Sequence, residues 1–297
     1  MENLISSKEL KKLIAENKKK VKAYKGKEGN SFICSGNPSE LISCLAVMKA
    51  LGGGDLYIRI AGTEISDDPY KNMNILFSTV SPYLETGFFG NGMYEYFKPL
   101  LEQQPYIKSV NIYTGGEVTF NLDTYRYCYF NEEYLDKTQG IRLNVFNETW
   151  GLKLSFANPW LFVEGEHEPD RKILVARSVK YQGGDMGYKS LTTFLRDNAF
   201  FCGTDIEYMC FCAACCMLWR LKPESLVDLL QTIKGMEIVM SNDNLIYWIA
   251  LALGVKEIHY ELCPDFYNGI NDNPNVKYFL GNTYVTPDIT FNRKKKQ

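Results

Sequence analysis

Residues 31–60 read SFICSGNPSELISCLAVMKALGGGDLYIRI, and this stretch decides the fold. Ser31-Phe32-Ile33-Cys34 is a short apolar run that predicts a buried strand, and Gly36-Asn37-Pro38-Ser39 is a turn that opens a helix. Leu41, Leu45, Met48 and Leu51 then recur at helical spacing. Pro38 suits the first turn of that helix, and Gly52-Gly53-Gly54 stops it before the strand Leu56-Tyr57-Ile58-Arg59-Ile60. Strand, helix and strand in this order imply a parallel pair joined by a right-handed crossover. Residues 35–40 then lie at the carboxyl edge of the first strand, where open α/β sheets bind ligands.

The same alternation restarts in the second half of the chain. Strands are expected at 173–176, 200–202, 237–240 and 257–262, with helices over 224–233 and 245–253 between them. The acidic run Glu164-Gly165-Glu166-His167-Glu168-Pro169-Asp170 lacks apolar periodicity and is the expected linker. A boundary near 168 gives two halves, 1–168 and 169–297, each long enough to bury its own core. The expected class is therefore α/β, with two Rossmann-like domains. In the middle of the first half the pattern is less regular: a helix over 94–101 and strands at 109–113 and 118–122 are expected, with no chemistry assigned.

Composition narrows the class. Apolar residues make up 45% of the 297 and charged residues 23%, which places the chain among folded globular proteins. The longest apolar stretches, 209–219 and 245–255, fall short of the roughly 20 residues that cross a bilayer. The N-terminus is lysine-rich and lacks the apolar core of a secretory signal, so a cytoplasmic location is expected. Nine cysteines are an odd number, and Cys210, Cys212, Cys215 and Cys216 crowd into one apolar run without paired C-x-x-C spacing. Reduced thiols acting as small buried hydrophobes fit that pattern better than a metal site. Charge is uneven: residues 8–27 carry nine lysines against Glu9 and Glu16, a local +7, and Arg293-Lys294-Lys295-Lys296 adds +4. With −2 overall, −13 is left for the remainder. Such ends suit a polyanion, or serve simply as solvated faces.

Several chemistries drop out. His167 and His259 are the two histidines, one in the acidic linker and one inside an expected strand; neither H-E-x-x-H nor G-x-S-x-G occurs. The run Gly52-Gly53-Gly54 follows a helix and precedes a strand, the reverse of a phosphate loop. The strand, loop, helix order does occur at 35–40 and again at Ser241-Asn242-Asp243-Asn244 before the helix from Leu245. The second site offers helix amides to a diphosphate, or is an ordinary N-cap built from favoured capping residues.

Four segments carry a resemblance. Ser35-Gly36-Asn37-Pro38-Ser39-Glu40-Leu41-Ile42 with 46–52, Ala176-Arg177-Ser178-Val179-Lys180-Tyr181, 201–207, and 234–243 with 250–255 resemble, in order, segments of the glycosyltransferase family that contains the ADP-heptose lipopolysaccharide heptosyltransferases. The resemblance spreads over about half the chain. It implies a GT-B architecture, with two Rossmann-like domains facing each other across a cleft, the first on the acceptor side and the second binding a nucleotide sugar. It also implies inverting, metal-independent transfer of a sugar from a nucleoside-diphosphate sugar to a hydroxyl, with that donor as co-substrate and no other cofactor.

Where the family has Gly-Asp, this chain has Ser39-Glu40, so the resemblance assigns Glu40 as the general base, one methylene longer. Arg177, Ser178, Lys180 and the helix start at Asn242, Asp243 and Asn244 are assigned to the diphosphate side. Glu207 is assigned to the nucleoside, and Asp243 itself to donor hydroxyls or loop capping. The small residues that usually follow that acid are replaced by Asn244-Leu245-Ile246. The expected acceptor is a saccharide, with a lipid-linked glycan, a protein and modified DNA reached through the lysine-rich ends left open beside it. A nucleotide-sugar epimerase and a catalytically inert nucleotide-binding relative are the alternatives. Read without the resemblance, Glu40 is a first-turn glutamate that complements the helix dipole.

Overall fold

The computed structural model describes residues 5–60, 90–179, 182, 187–263 and 268–286. The first half opens with helix α1 (Ser7–Tyr24), followed by β1 (Ser31–Cys34), α2 (Pro38–Ala50) and β2 (Gly54–Ile58). After residue 90 come α3 (Asn91–Glu102), β3 (Ile107–Ile112) and β4 (Phe120–Asn121). A 3₁₀ segment (Leu122–Phe130) and helices α4 (Glu132–Thr138) and α5 (Arg142–Trp150) complete it. Its sheet has the order β3-β2-β1-β4, every pair parallel. The triple glycine acts as the expected helix stop. Gly52 and Gly53 have φ of +102° and +74°, and a side chain on Gly53 would run into the Tyr106 carbonyl.

The second sheet begins at β5 (Ile173–Ala176) and continues through β6 (Ala199–Phe201), β7 (Trp219–Arg220), β8 (Ile238–Ser241), β9 (Glu257–Glu261), β10 (Val276–Leu280) and β11 (Thr283–Val285). Between these strands lie α6 (Thr192–Asn198), α7 (Asp205–Ala214), α8 (Leu226–Lys234) and α9 (Leu245–Leu253). The strand order is β11-β10-β9-β8-β5-β6-β7, parallel except for the β10–β11 hairpin. From β7 to β10 this is the doubly wound order 3-2-1-4-5-6, whose direction of winding reverses between β5 and β8. In the first sheet the corresponding reversal lies between β1 and β4. The α/β class with two Rossmann-like sheets is thus present.

Residues 151–172 form no helix or strand, and the expected boundary at 168 falls inside this span. The span is pinned rather than loose. The backbone N–H groups of Trp160 and Leu161 donate to the Ala252 carbonyl, and Gln104 bonds both ways with the Phe162 backbone. Lys234 Nζ donates to the carbonyls of Val163 and Gly165 at 3.1 Å.

One core cluster spans the two halves, and a second, around Val175, Phe201 and Phe211, belongs to the second sheet alone. Helix α9 is buried on every side from Ile246 to Ala252, as its unbroken apolar sequence requires, and it packs on α2, itself buried from Leu41 to Met48. Phe156 seals the junction, with its ring 4.8 Å from Trp160 and 6.0 Å from Trp248.

Several expectations shift. The strands expected at 109–113, 118–122 and 200–202 run instead over Ile107–Ile112, Phe120–Asn121 and Ala199–Phe201, and β7, β10, β11, α4 and α5 were not anticipated. Two-residue β7 is too short to show a period, and tertiary packing decides the rest. All nine cysteines are free thiols, but Cys210 is exposed and Cys212 and Cys215 are half-buried. Of the crowded four, only Cys216 is a buried hydrophobe: Cys210 and Cys212 lie on α7, which buries only Phe211, and Cys215 follows its end.

Candidate functional site

The site is built where the winding reverses in each sheet. At the first reversal the loop after β1 meets the loop after β4. Asn37 caps α2: its Oδ1 accepts from Glu40 N at 3.0 Å, and Glu40 Oε2 accepts from Asn37 N at 3.1 Å. The same Oε2 also accepts from Arg126 Nη2 at 2.9 Å, and Arg126 Nη1 lies 3.1 Å from Asp123 Oδ1. Asp123 in turn accepts from Ser35 N at 3.0 Å and Ser35 Oγ at 2.7 Å, while Arg126 donates to Ser35 Oγ and to the Ser35 carbonyl. The Arg126 side chain is 2% exposed and that of Glu40 14%.

Gly36 makes this cluster possible. Its φ is +116°, and a Cβ there would strike Arg126 Nη2 and Glu40 Oε2. Gly36→Ala is expected to destabilise the protein by about 1–3 kcal/mol from backbone strain alone. Urea unfolding would check this, and an unchanged midpoint would mean that the loop has room that the geometry denies it.

Electrostatics follow from these contacts. Burial works against ionising Glu40, but Arg126, Arg142 and the Asn37 N–H outweigh it and hold the carboxyl below its ordinary value. Burial pushes Asp123 upward, with Arg126 and the Ser35 hydrogen bonds opposing it. Of the two carboxyls, Glu40 is the one whose surroundings favour ionisation on balance.

At the second reversal the loop after β5 meets the loop after β8. The Asn242 side chain clamps them, its Oδ1 accepting from Ser178 N and its Nδ2 donating to the Ser178 carbonyl, both at 2.8 Å. Asn244 caps α9 by accepting from Tyr247 N at 3.1 Å and donates to the Ala176 carbonyl at 3.0 Å. Asp243 turns inward, accepting from Trp248 Nε1 at 2.7 Å and Asn268 Nδ2 at 3.2 Å. Burial raises its pKa, against the pull of Arg142 and these two donors.

The other residues assigned to the donor are differently placed. Arg177 is buried and makes a two-pronged pair with Glu261, 2.7 Å from Nε to Oε2 and 2.8 Å from Nη2 to Oε1. A direct diphosphate contact by Arg177 requires that pair to open. Glu207 caps α7, its Oε2 accepting from Thr204 N at 2.8 Å. It sits at the carboxyl end of β6, one strand away from the reversal. Lys180 lies outside the described residues. His259 lies within β9, its Nε2 2.5 Å from Glu257 Oε1 and its Nδ1 2.8 Å from the Tyr284 hydroxyl.

Arg142, on α5, links the two reversals. It donates from Nη1 to Ser43 Oγ at 3.0 Å, stacks 4.5 Å from the Trp248 ring, and is electrostatically coupled to both Glu40 and Asp243. Tyr129 reinforces the link by donating to Asn268 Oδ1 at 2.6 Å. Sequence reasoning missed Asp123, Arg126, Tyr129, Arg142 and Asn268. Arg126 and Asp123 sit on an irregular 3₁₀ segment and Asn268 in a loop, where no period marks a site. The one available signal was the pair of arginines, at 126 and 142, in a segment otherwise rich in buried aromatics.

Comparison with known proteins adds the following. No family model and no curated protein matches the sequence. Solved structures similar to this one include a glycosyl transferase of family 9 from Veillonella parvula, at 12% identity, a TM-score of 0.48, and 86% of this chain matched to 87% of that one. They include E. coli ADP-heptose lipopolysaccharide heptosyltransferase II, at 10% identity and a TM-score of 0.42, with 84% of this chain and 90% of that one covered. E. coli heptosyltransferase WaaC with ADP-2-deoxy-2-fluoro heptose is similar at 10% identity and a TM-score of 0.39, over 85% of this chain and 93% of that one.

Proposed function

We propose that the chain transfers a sugar from a nucleoside-diphosphate sugar to an acceptor hydroxyl, with inversion and without a metal-bound step. The observation that carries this reading is the pairing of the two winding reversals. An ionised carboxylate stands at one, a capped helix start at the other, and Arg142 stands between them. The acceptor oxygen attacks the anomeric carbon and gives its proton to Glu40. The bond from that carbon to the diphosphate oxygen breaks, and the diphosphate leaves with the electron pair. The amides that open α9, the backbone at Ser178, and Lys180 stabilise the departing charge, and Arg177 fixes the β5 loop through Glu261. Glu207 is assigned to the nucleoside. Among the described residues no helix is long and apolar enough to cross a membrane, and we place the reaction in the cytoplasm.

A second reading has its own observation. Glu40 already holds Arg126 and caps α2, so a chain that binds nucleotide without turnover would keep the same carboxylate for the fold. The pH profile separates the two. Because Arg126, Arg142 and the Asn37 N–H hold Glu40 below its ordinary value, a catalytic Glu40 stays ionised further into acid than an ordinary glutamate, and the acid limb of kcat/KM is expected below the ordinary glutamate range. An acid limb near pH 6 or above would assign the base elsewhere, and absence of turnover with any acceptor would favour the binding protein. Asn242→Ala is expected to weaken donor affinity about tenfold by releasing the clamp between the two loops, read by calorimetry. Unchanged affinity would remove that loop pair from the donor site.

A further inference from the structure

Helix α1 carries a surface that the proposed reaction does not use. Leu10, Ile14, Asn17 and Val21 form its inner face, and Asn17 Nδ2 donates to Thr124 Oγ1 at 3.0 Å. At 3.6 residues per turn, Lys8, Lys11, Lys12, Lys18, Lys19 and Lys22 fall within about 120° of one another on the outer side. The row from Lys8 to Lys22 is about 21 Å long at the helical rise. The only other residue in that sector is Ala15. Lys11 and Lys18 are held by Glu133 and Glu148, and Lys12 lies 4.0 Å from Glu16, whereas Lys8, Lys19 and Lys22 make no ion pair among the described residues.

We propose that this lysine row is a docking surface for the phosphate backbone of duplex nucleic acid, engaged without regard to base sequence. Three features select that partner. The charges form a narrow line, which matches a strand of phosphates better than a plane of headgroups. The sector's one apolar side chain is the methyl of exposed Ala15, and it holds no large apolar side chain that could enter a lipid surface. It also holds no Arg, Asn or Gln, the side chains that read base edges, so the contact is to phosphates alone. The acidic balance of the remaining chain, −13 outside the two basic ends, directs a polyanion to those ends and away from the body. The inference does not depend on the sugar-transfer reading.

The test is fluorescence anisotropy of the full chain with a short labelled DNA duplex, at about 50 and 200 mM salt. Four phosphate contacts predict a loss of affinity of roughly 100-fold between those salt concentrations. Two variants of equal charge are compared: Lys8→Ala, Lys12→Ala, Lys19→Ala and Lys22→Ala together, and Lys108→Ala, Lys153→Ala, Lys222→Ala and Lys256→Ala together. Alanine favours helix, so α1 is expected to persist, which circular dichroism verifies. The α1 variant should lose at least tenfold in affinity and flatten the salt dependence, while the second keeps most of both. Equal losses in the two variants, salt-independent binding, or binding to phosphatidylserine vesicles but not to duplex would overturn the proposal. The same result on several unrelated duplex sequences is required, and preference for one sequence would contradict it.

Discussion

Glu40→Gln is expected to lower turnover by roughly 10²- to 10⁴-fold, the range for losing a general base, while donor affinity stays within a few-fold. The glutamine keeps the size of the side chain and an oxygen for the Asn37 N–H, but it cannot accept a proton. It also removes one of two negative partners of buried Arg126, so a stability loss of about 1–3 kcal/mol should accompany the change. Turnover must therefore be compared well below the melting temperature of the variant. Glu40→Asp is the companion. A shorter carboxylate cannot reach Asn37 N and Arg126 from the same position, so activity between that of the Gln variant and wild type is expected. Near-normal turnover in a folded Gln variant would show that Glu40 serves the fold and not the chemistry. The candidates for the base would then be Glu64, Asp67 and Asp68, which follow the second strand in sequence and lie outside the described residues.

The largest effect on stability should come from Arg126→Met. The arginine is 2% exposed and answers both Glu40 and Asp123, so methionine leaves two buried carboxylates without the cation that pairs with both, Arg142 alone still acting on Glu40. The expected cost is about 3–5 kcal/mol at neutral pH. Its pH dependence has a definite sign. In the wild type the Glu40 pKa is depressed, so its contribution is present above the unfolded value and is lost as pH falls through the folded value. In the variant the carboxyls bind protons more readily when folded, so acid relieves their repulsion. The gap between the two proteins should shrink from pH 7 toward pH 4, as measured by urea unfolding across that range. A gap that widened in acid would mean that the arginine is not neutralising those carboxylates.

How much of this was legible in the sequence depends on what each residue answers to. The βαβ unit was legible because its signals are local: an apolar strand, Pro38 at a helix start and three glycines at its end. The second sheet was legible at β5, β6, β8 and β9, whereas two-residue β7 was too short to stand out and the β10–β11 hairpin went unread although β10 is as long as β9. Asn244 was legible as a cap because capping is a matter of spacing within four residues. What Asp243 faces was not, since Trp248 is one helical turn away but Asn268 and Arg142 arrive from separate elements. For the same reason the partners of Glu40 and Arg177 were invisible. Arg126 is 86 residues from Glu40, and Glu261 is 84 from Arg177. The sequence marked the loops after β1, β5 and β8 but not the segment after β4 that meets the first of them, and the pairings inside them belong to tertiary structure.

The central claim is that the paired winding reversals hold a nucleoside-diphosphate sugar, and calorimetry of the full chain against a panel of nucleoside diphosphates and their sugar conjugates tests it most directly. The account predicts one nucleotide series that binds at micromolar affinity, with the sugar conjugate at least as tight as the diphosphate, the free sugar far weaker, and Asn242→Ala about tenfold weaker on the same ligand. Failure of every nucleoside diphosphate and conjugate to bind the folded wild-type chain at millimolar concentration would contradict it.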